Sequence, residues 1–292
     1  MFFFAYITSY SIFNLQAVTD IGFDCVSNTL DGHSANRKFY KEKLCNGVLQ
    51  PCIPHPYKLG SWIFLPFDSV HVWKCTYNNL VNRKKFICPK WDGQIVEPDV
   101  GYLQQLYDHE LGRPLKYGHK LNDKVLHPMP IEKTNVQLAD RFYHESTIHA
   151  MEYYSEPDPN TGNAIFPQWK STVIYLKIIR TWWNIVNIKN PKFGRRKRDP
   201  VREPISIDDP GGIQWLHKFL KWVLKWQEQA KQIGFGLTNE TFFTIIQTTR
   251  GLIGVCMYLL EEKGLDYVLP RYINSDPIER RYGWYRQLCG NY

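Results

Sequence analysis

Six consecutive residues, Trp62 to Phe67 (WIFLPF), form an unbroken apolar run that is followed at once by Asp68. Val70, Trp73, Tyr77 and Leu80 then recur at helical spacing. A short continuous apolar run marks a strand buried on both faces, and recurrence every three to four residues marks a helix with one buried stripe. Strand, acid, helix is therefore the predicted order, and the pattern from residue 1 to about 98 is mixed α/β. Asp68 stands just outside the carboxyl end of the strand, where open α/β sheets usually hold ligands. Two readings of it stay open: a metal-binding carboxylate, or an N-cap that stabilises its helix by about 1 kcal/mol. His71, one turn along the same helix, reads first as a packed or hydrogen-bonded residue.

Around this unit the pattern predicts further elements. Phe2–Ile7 reads as a strand. Gly22–Leu30 is β-rich and runs into a polar turn, Asp31-Gly32-His33-Ser34, and Asn36–Leu44 is a short helix candidate. From about 99 to 235 helices dominate, with candidates at Val136–Tyr154, Ser171–Asn187 and Ile213–Ile233. In the last of these Trp215, Trp222 and Trp226 widen the apolar face, which predicts packing on two sides. Thr238–Thr241 (TNET) resembles a capping box ahead of a helix running to Gly264. Asp276, Pro277 and Glu279 form a well-made helix start, bearing Ile278, Tyr282 and Tyr285. Between Asn187 and Ile213 the Pro-, Gly- and Arg-rich stretch NPKFGRRKRDPVREPISIDDPGG predicts a mobile surface loop. No internal repeat is evident.

Composition decides between broad classes. Of 292 residues, 43% are hydrophobic and 22% charged, which supports a core and excludes wholesale disorder. Lys and Arg (36) exceed Asp and Glu (28) by 8, and the pI is near 9.0. That balance favours a polyanionic partner, most simply nucleic acid. Mean hydropathy is −0.39, and no stretch reads as approaching the ~20 apolar residues of a membrane span, so no membrane partner is expected. The seven cysteines are odd in number and contain no C-x-x-C pair, which argues against a disulfide scaffold or zinc finger and suits a reducing compartment. The apolar start MFFFAYITSYSIFN lacks a cationic flank and a cleavage site, so it reads as a buried strand rather than a signal peptide. Arg195-Arg196-Lys197-Arg198 is the densest charge run. It reads as a phosphate contact or nuclear-import signal, or as a solvated loop, with near-equal weight.

Carboxylates suggest what chemistry is at stake. Two divalent ions about 3.5–4 Å apart can stabilise both oxygens of an in-line phosphoryl displacement. Magnesium prefers hard oxygen ligands, which suits Asp and Glu. Asp68 and Glu279 could serve if the fold brought them together; spacing alone does not establish that. Glu279 reads equally as the third residue of its helix.

In order along nearly the whole chain, the sequence resembles the P element and THAP-domain-associated DNA transposases. Leu30–Lys38 (LDGHSANRK) looks like that family's segment before its second acid. Pro54-His55-Pro56, Phe67-Asp68-Ser69-Val70-His71, Lys74 and Asn78-Asn79 look like its D-x-x-H…K…(R/N)N block. His127–Ala139 (HPMPIEKTNVQLA) looks like the start of its inserted domain, and Ser275–Gly290 (SDPIERRYGWYRQLCG) like its closing motif.

The resemblance implies an α/β fold: a ribonuclease-H-like mixed-sheet core interrupted by a mostly helical insertion. Its parts would be residues 1–98 and 236–292 for the core and 99–235 for a GTP-binding-like insertion. It implies an Asp, Asp, Glu trio that binds Mg2+, with Asp68 matching the second acid and Glu279 the last, both as catalytic and metal ligands. It implies GTP at the insertion, with Lys120, Asn135, Val136, Asn184, Asn187 and Asp276 at or near the nucleotide. The implied partner is DNA, either transposon ends or host DNA, in the nucleus; a homo-oligomer is compatible. Three departures set expectations against full activity. No strand-ending Asp precedes Phe2, with Asp20, Asp24 and Asp31 in the wrong context for the leading acid; no zinc-coordinating THAP module is present; and Asn184 stands where the family carries an acid that reads guanine. The expected function is a transposase fragment whose ancestral metal-dependent cleavage and strand transfer are lost. The alternative is a domesticated, non-catalytic DNA- or protein-binding module.

Overall fold

The computed structural model describes residues 15–275 and, beyond them, 281, 283–285, 287, 288 and 290. The strand expected at Phe2–Ile7 and the helix start at Asp276–Glu279 lie outside the described residues. The chain divides into two compact units. One comprises Met1–His71, Val186–Gln214 and Thr244–Tyr292; the other comprises Val72–Ile185 and Trp215–Phe243. The architecture is mixed α/β, with many helices and small sheets.

In the first unit only the first half of the apolar run, Trp62–Phe64, forms a strand, and Trp62 itself is exposed. Trp62–Phe64 pairs antiparallel with Cys52–Pro54, Cys52 opposite Phe64. Its other edge meets residues 26–30 through parallel bridges, Ser27 to Phe64 and Leu30 to Phe67. The Asn28 N–H donates to the Phe64 carbonyl at 2.9 Å, and the Phe64 N–H donates to the Val26 carbonyl at 2.9 Å. Ile63, Phe64, Leu65 and Phe67 are all buried, as a run without alternation requires.

The helix Asn239–Glu261 contributes residues 244–261 to this unit. Two glycines let it sit tightly on the strand. A Cβ on Gly251 would lie 2.9 Å from the Pro66 nitrogen, and one on Gly254 would lie 2.5 Å from the Phe64 ring. The helix closes near Gly264, whose φ of +65° favours glycine. By length and composition it is apolar enough to cross a membrane, which corrects the expectation that no stretch approaches that limit. Its most apolar window is 67% buried, the pattern of a core helix.

The second unit is built on aromatic packing. The helix Ser69–Arg83 sends Trp73, Tyr77 and Leu80 into its core, and Trp73 stacks on Trp183 with centroids 4.7 Å apart. Cys88–Trp91 and Gln94–Val96 form a hairpin whose turn residues, Asp92 and Gly93, both have positive φ. That is the type I′ geometry that Asp-Gly favours. Trp222 and Trp226 of the helix Gly211–Ile233 are buried; Trp215 is only half-buried.

Two expected elements differ. The single helix read across Val136–Tyr154 is two, Val136–Phe142 and Glu145–Ser155. The break comes at His144, whose backbone is extended and whose Nδ1 accepts the Ser146 N–H at 3.1 Å. An imidazole thus does the capping that an oxygen usually does. The expected loop after Asn187 contains a helix at Phe193–Lys197 and a 3-10 turn at Pro200–Arg202.

Candidate functional site

Pairing in the first unit brings two acids to one end of the sheet. The Asp68 N–H donates to the Leu30 carbonyl at 2.8 Å, so Asp31 and Asp68 each follow a residue of the parallel bridge Leu30–Phe67. The sequence sets Asp31 aside as a turn residue in the wrong context for a leading acid. The signal it carries is that Leu30-Asp31, like Phe67-Asp68, places an acid directly after an apolar residue and shortly before a helix.

Asp68 is 3% exposed. Its Oδ1 accepts the Val70 N–H at 2.9 Å, which caps the helix Ser69–Arg83 at its second position. Its Oδ2 accepts the Ser275 hydroxyl at 2.6 Å, across 207 positions of sequence. The cap reading of Asp68 is realised, and its second oxygen is taken by Ser275, which precedes Asp276 in the chain. Asp276 and Glu279 lie outside the described residues. Asp31 is exposed, and its Oδ1 accepts from the His33 N–H at 2.9 Å and from the Asn36 amide at 2.7 Å. Gly32 explains the Asp-Gly pair. A Cβ there would meet the Thr244 methyl at 2.9 Å and the His71 ring at 3.4 Å. His71 is thus packed beside this turn.

Carboxylates and hydroxyls suit Mg2+ in kind. In number they fall short: among the described residues no group of three or more His, Cys, Asp or Glu could hold a metal ion. Asp31 and Asp68 do not by themselves complete a two-ion centre.

Of the residues matched to the nucleotide site, Lys120, Asn135, Val136 and Asn184 lie in the second unit. Lys120 is exposed in a loop of the second unit. Asn135 caps the helix Val136–Phe142, its Oδ1 accepting the Gln137 N–H at 2.9 Å, and Val136 is the first residue of that helix. Asn184 is half-buried on the helix Lys170–Val186. No hydrogen bond or ion pair joins these four among the described residues. Asn187 falls in the first unit, just past that helix. His144 lies near Lys120 electrostatically, and burial is the main cause of its lowered proton affinity.

The Asn78-Asn79 block is structural. The Asn79 Oδ1 accepts the Thr238 N–H at 2.7 Å, and its Nδ2 donates to the Thr241 hydroxyl at 3.0 Å. The Thr241 N–H donates to the Thr238 hydroxyl at 3.3 Å, so the capping motif read from TNET is realised in half. Sequence reasoning also missed a cleft of about 420 Å³ in the second unit, walled by Trp91 and Trp215. Its lysines are already paired, Lys170 with Glu156 at 3.2 Å and Lys177 with Glu152.

Comparison with protein-family models and with curated proteins finds no match. Among solved structures the chain is similar to a chain of the Drosophila P element transposase strand transfer complex, with a TM-score of 0.75 and 20% identity. The likeness covers 93% of this chain and 57% of that one, so this chain spans little more than half the length of the solved relative. At that identity the likeness shows a shared fold.

Proposed function

We propose that this chain derives from a P-element-type DNA transposase and acts on DNA. The observation that carries the reading is the shared fold over 93% of the chain with a transposase solved in a strand transfer complex. Motif matches running in the same order support it. So do two acids, Asp31 and Asp68, that directly follow the parallel bridge Leu30–Phe67. A protein working on chromosomal DNA is expected in the nucleus.

Within that reading Asp31 and Asp68, with Glu279 and divalent metal, are the groups that would have handled a phosphodiester. We take strand cleavage to be weak or lost. Asp68 has both oxygens engaged, one by a helix N–H and one by Ser275. The same engagement favours the second reading, a domesticated binding module that keeps Asp68 for its cap alone.

The test is purified chain with supercoiled plasmid and Mg2+, read for both duplex binding and nicking. Binding without nicking is expected. Magnesium-dependent nicking abolished by Asp68→Asn or Asp31→Asn overturns the loss of cleavage, and absence of any DNA binding overturns the DNA function. If binding survives replacement of both Asp68 and Glu279, the binding-module reading holds.

A further inference from the structure

Between Lys189 and Arg198 the sequence KNPKFGRRKR carries six cations and no acid. Lys189, Lys192, Arg195, Arg196, Lys197 and Arg198 are all exposed, and none forms an ion pair among the described residues. The structure holds this run in place. At one end the Arg271 N–H donates to the Ile188 carbonyl at 3.1 Å; at the other, Ile205 and Val268 exchange backbone hydrogen bonds at 3.1 and 2.8 Å. In the middle Gly194 is buried, and a Cβ there would lie 2.6 Å from the backbone of Arg202 and Glu203. Arg202 lies over the Phe193 ring at 5.6 Å and pairs with Asp199 at 3.0 Å. The nearest following acid is thereby already matched.

Holding like charges in one helical turn is unfavourable. Lys192, Arg195 and Arg196 stand three and four residues apart, where like charges repel by a few tenths of a kcal/mol per pair. The favourable end of the helix dipole offsets part of this. A loop meant only for solvation would relieve the repulsion by spreading out; this one is braced at both ends and in its middle.

We propose that the braced turn Lys189–Arg198 is a docking surface for the phosphate backbone of duplex DNA. The choice of DNA over another polyanion rests on the transposase reading. The preference for duplex rests on charge density. The four consecutive cations Arg195–Arg198, at the end of the helix Phe193–Lys197, span roughly 6 Å at helical rise. Duplex carries one charge per about 1.7 Å of axis, hence about three to four phosphates over that length, against about two on a single strand. These four cations are matched by the duplex alone. The contacts position DNA without reading its sequence.

The experiment measures affinity of the full chain for a random-sequence duplex across a salt series. Six phosphate contacts give a slope of log K against log salt of about −5. Changing Arg195, Arg196, Lys197 and Arg198 together to Gln should flatten the slope by about 3 to 4. A charge-keeping variant, with the three arginines changed to Lys, should retain it. A control that changes Lys41, Lys90, Lys221 and Lys225 to Gln removes equal charge elsewhere and should move it far less. Equal flattening by both Gln variants overturns the proposal, as does tighter binding of a single strand than of duplex. DNA binding with a slope indifferent to the turn sinks this inference and spares the transposase reading. Binding of heparin through the turn without binding of duplex sinks the transposase reading itself.

Discussion

In the unit that carries Asp68, side chains hydrogen-bond directly to the backbone that flanks and bridges the strands. The Gln247 amide donates to the Gln50 and Leu65 carbonyls, each at 2.9 Å. The Thr248 hydroxyl donates to the Phe67 carbonyl at 3.0 Å and accepts the Phe67 N–H at 3.2 Å. The Tyr40 hydroxyl donates to the Asn28 carbonyl. In the unit that carries Trp226 the central contacts are ring on ring. Trp226 packs edge-on against Phe86 at 5.3 Å and Phe242 at 5.1 Å, and beside Trp222 at 5.2 Å. Short strands leave peptide groups that need directional partners, and each such partner fixes a position. Ring packing is less directional and stabilises mainly through buried area. Chemistry that needs carboxylates in fixed places belongs with the first arrangement.

The comparison predicts where single changes hurt most. Trp226 is fully buried, so Trp226→Ala should cost about 3–5 kcal/mol, read from the urea midpoint at unchanged slope. Trp226→Phe should cost much less. It keeps the ring contacts, and the indole N–H it removes has no hydrogen-bond partner among the described residues. An Ala variant within 1 kcal/mol of wild type would break the claim that rings carry this unit.

Gly251→Ala tests the first unit. In an open helix the change gains up to about 1 kcal/mol. Here the new methyl meets Pro66 backbone at 2.9–3.0 Å, and a segment held by Gln247 at Leu65 and Thr248 at Phe67 cannot easily yield. A net loss of about 1–2 kcal/mol is expected. A stabilised variant would show the strand to be less fixed than its hydrogen bonds imply.

Asp68→Ala should be milder, roughly 1 kcal/mol, because it removes a cap. Asp68→Asn keeps an acceptor for the Val70 N–H and should recover most of that. If both variants cost 3 kcal/mol or more, Asp68 is a structural keystone and its site reading weakens.

Elements set by local pattern were legible in sequence. The strand at Trp62 showed itself by six apolar residues, the helix after it by Trp73, Tyr77 and Leu80, and the Thr238 cap by residue type. What depends on partners far along the chain was not. Asp31 looked like a turn residue because its strand's neighbour lies 37 positions later, and only the Leu30–Phe67 bridge reveals it. The break at His144 was hidden by an apolar period that continues across it. The basic turn was read as loose because charge and Pro dominate its composition. The Gly194 contact with Arg202 and Glu203, which holds it, leaves no local signature.

The smallest predicted effect concerns acid stability of the first unit. Asp24 pairs with Lys263 at 2.7 Å and Lys58 at 2.8 Å, and these, Lys263 foremost, hold its carboxyl below the usual 3.8. A depressed folded value means stability that is present above about 3.8 and lost as pH falls through the folded value. His55 is buried, its Nδ1 accepts the Tyr57 N–H at 3.1 Å, and burial lowers it below 6.5. Its neutral form is therefore favoured by folding, and that contribution is lost as pH falls below 6.5. The urea midpoint should thus decline in two stages, His55 first and Asp24 later. Asp24→Asn should erase the second stage. It should also extend the first to lower pH, with its onset near 6.5 unchanged, because the Asp24 charge is what partly supports protonation of His55. Added salt should flatten the Asp24 stage, since that side chain is 37% exposed and its pairs are screened. A His55 ring titration by NMR that stays fixed in Asp24→Asn would show that the two groups do not sense each other.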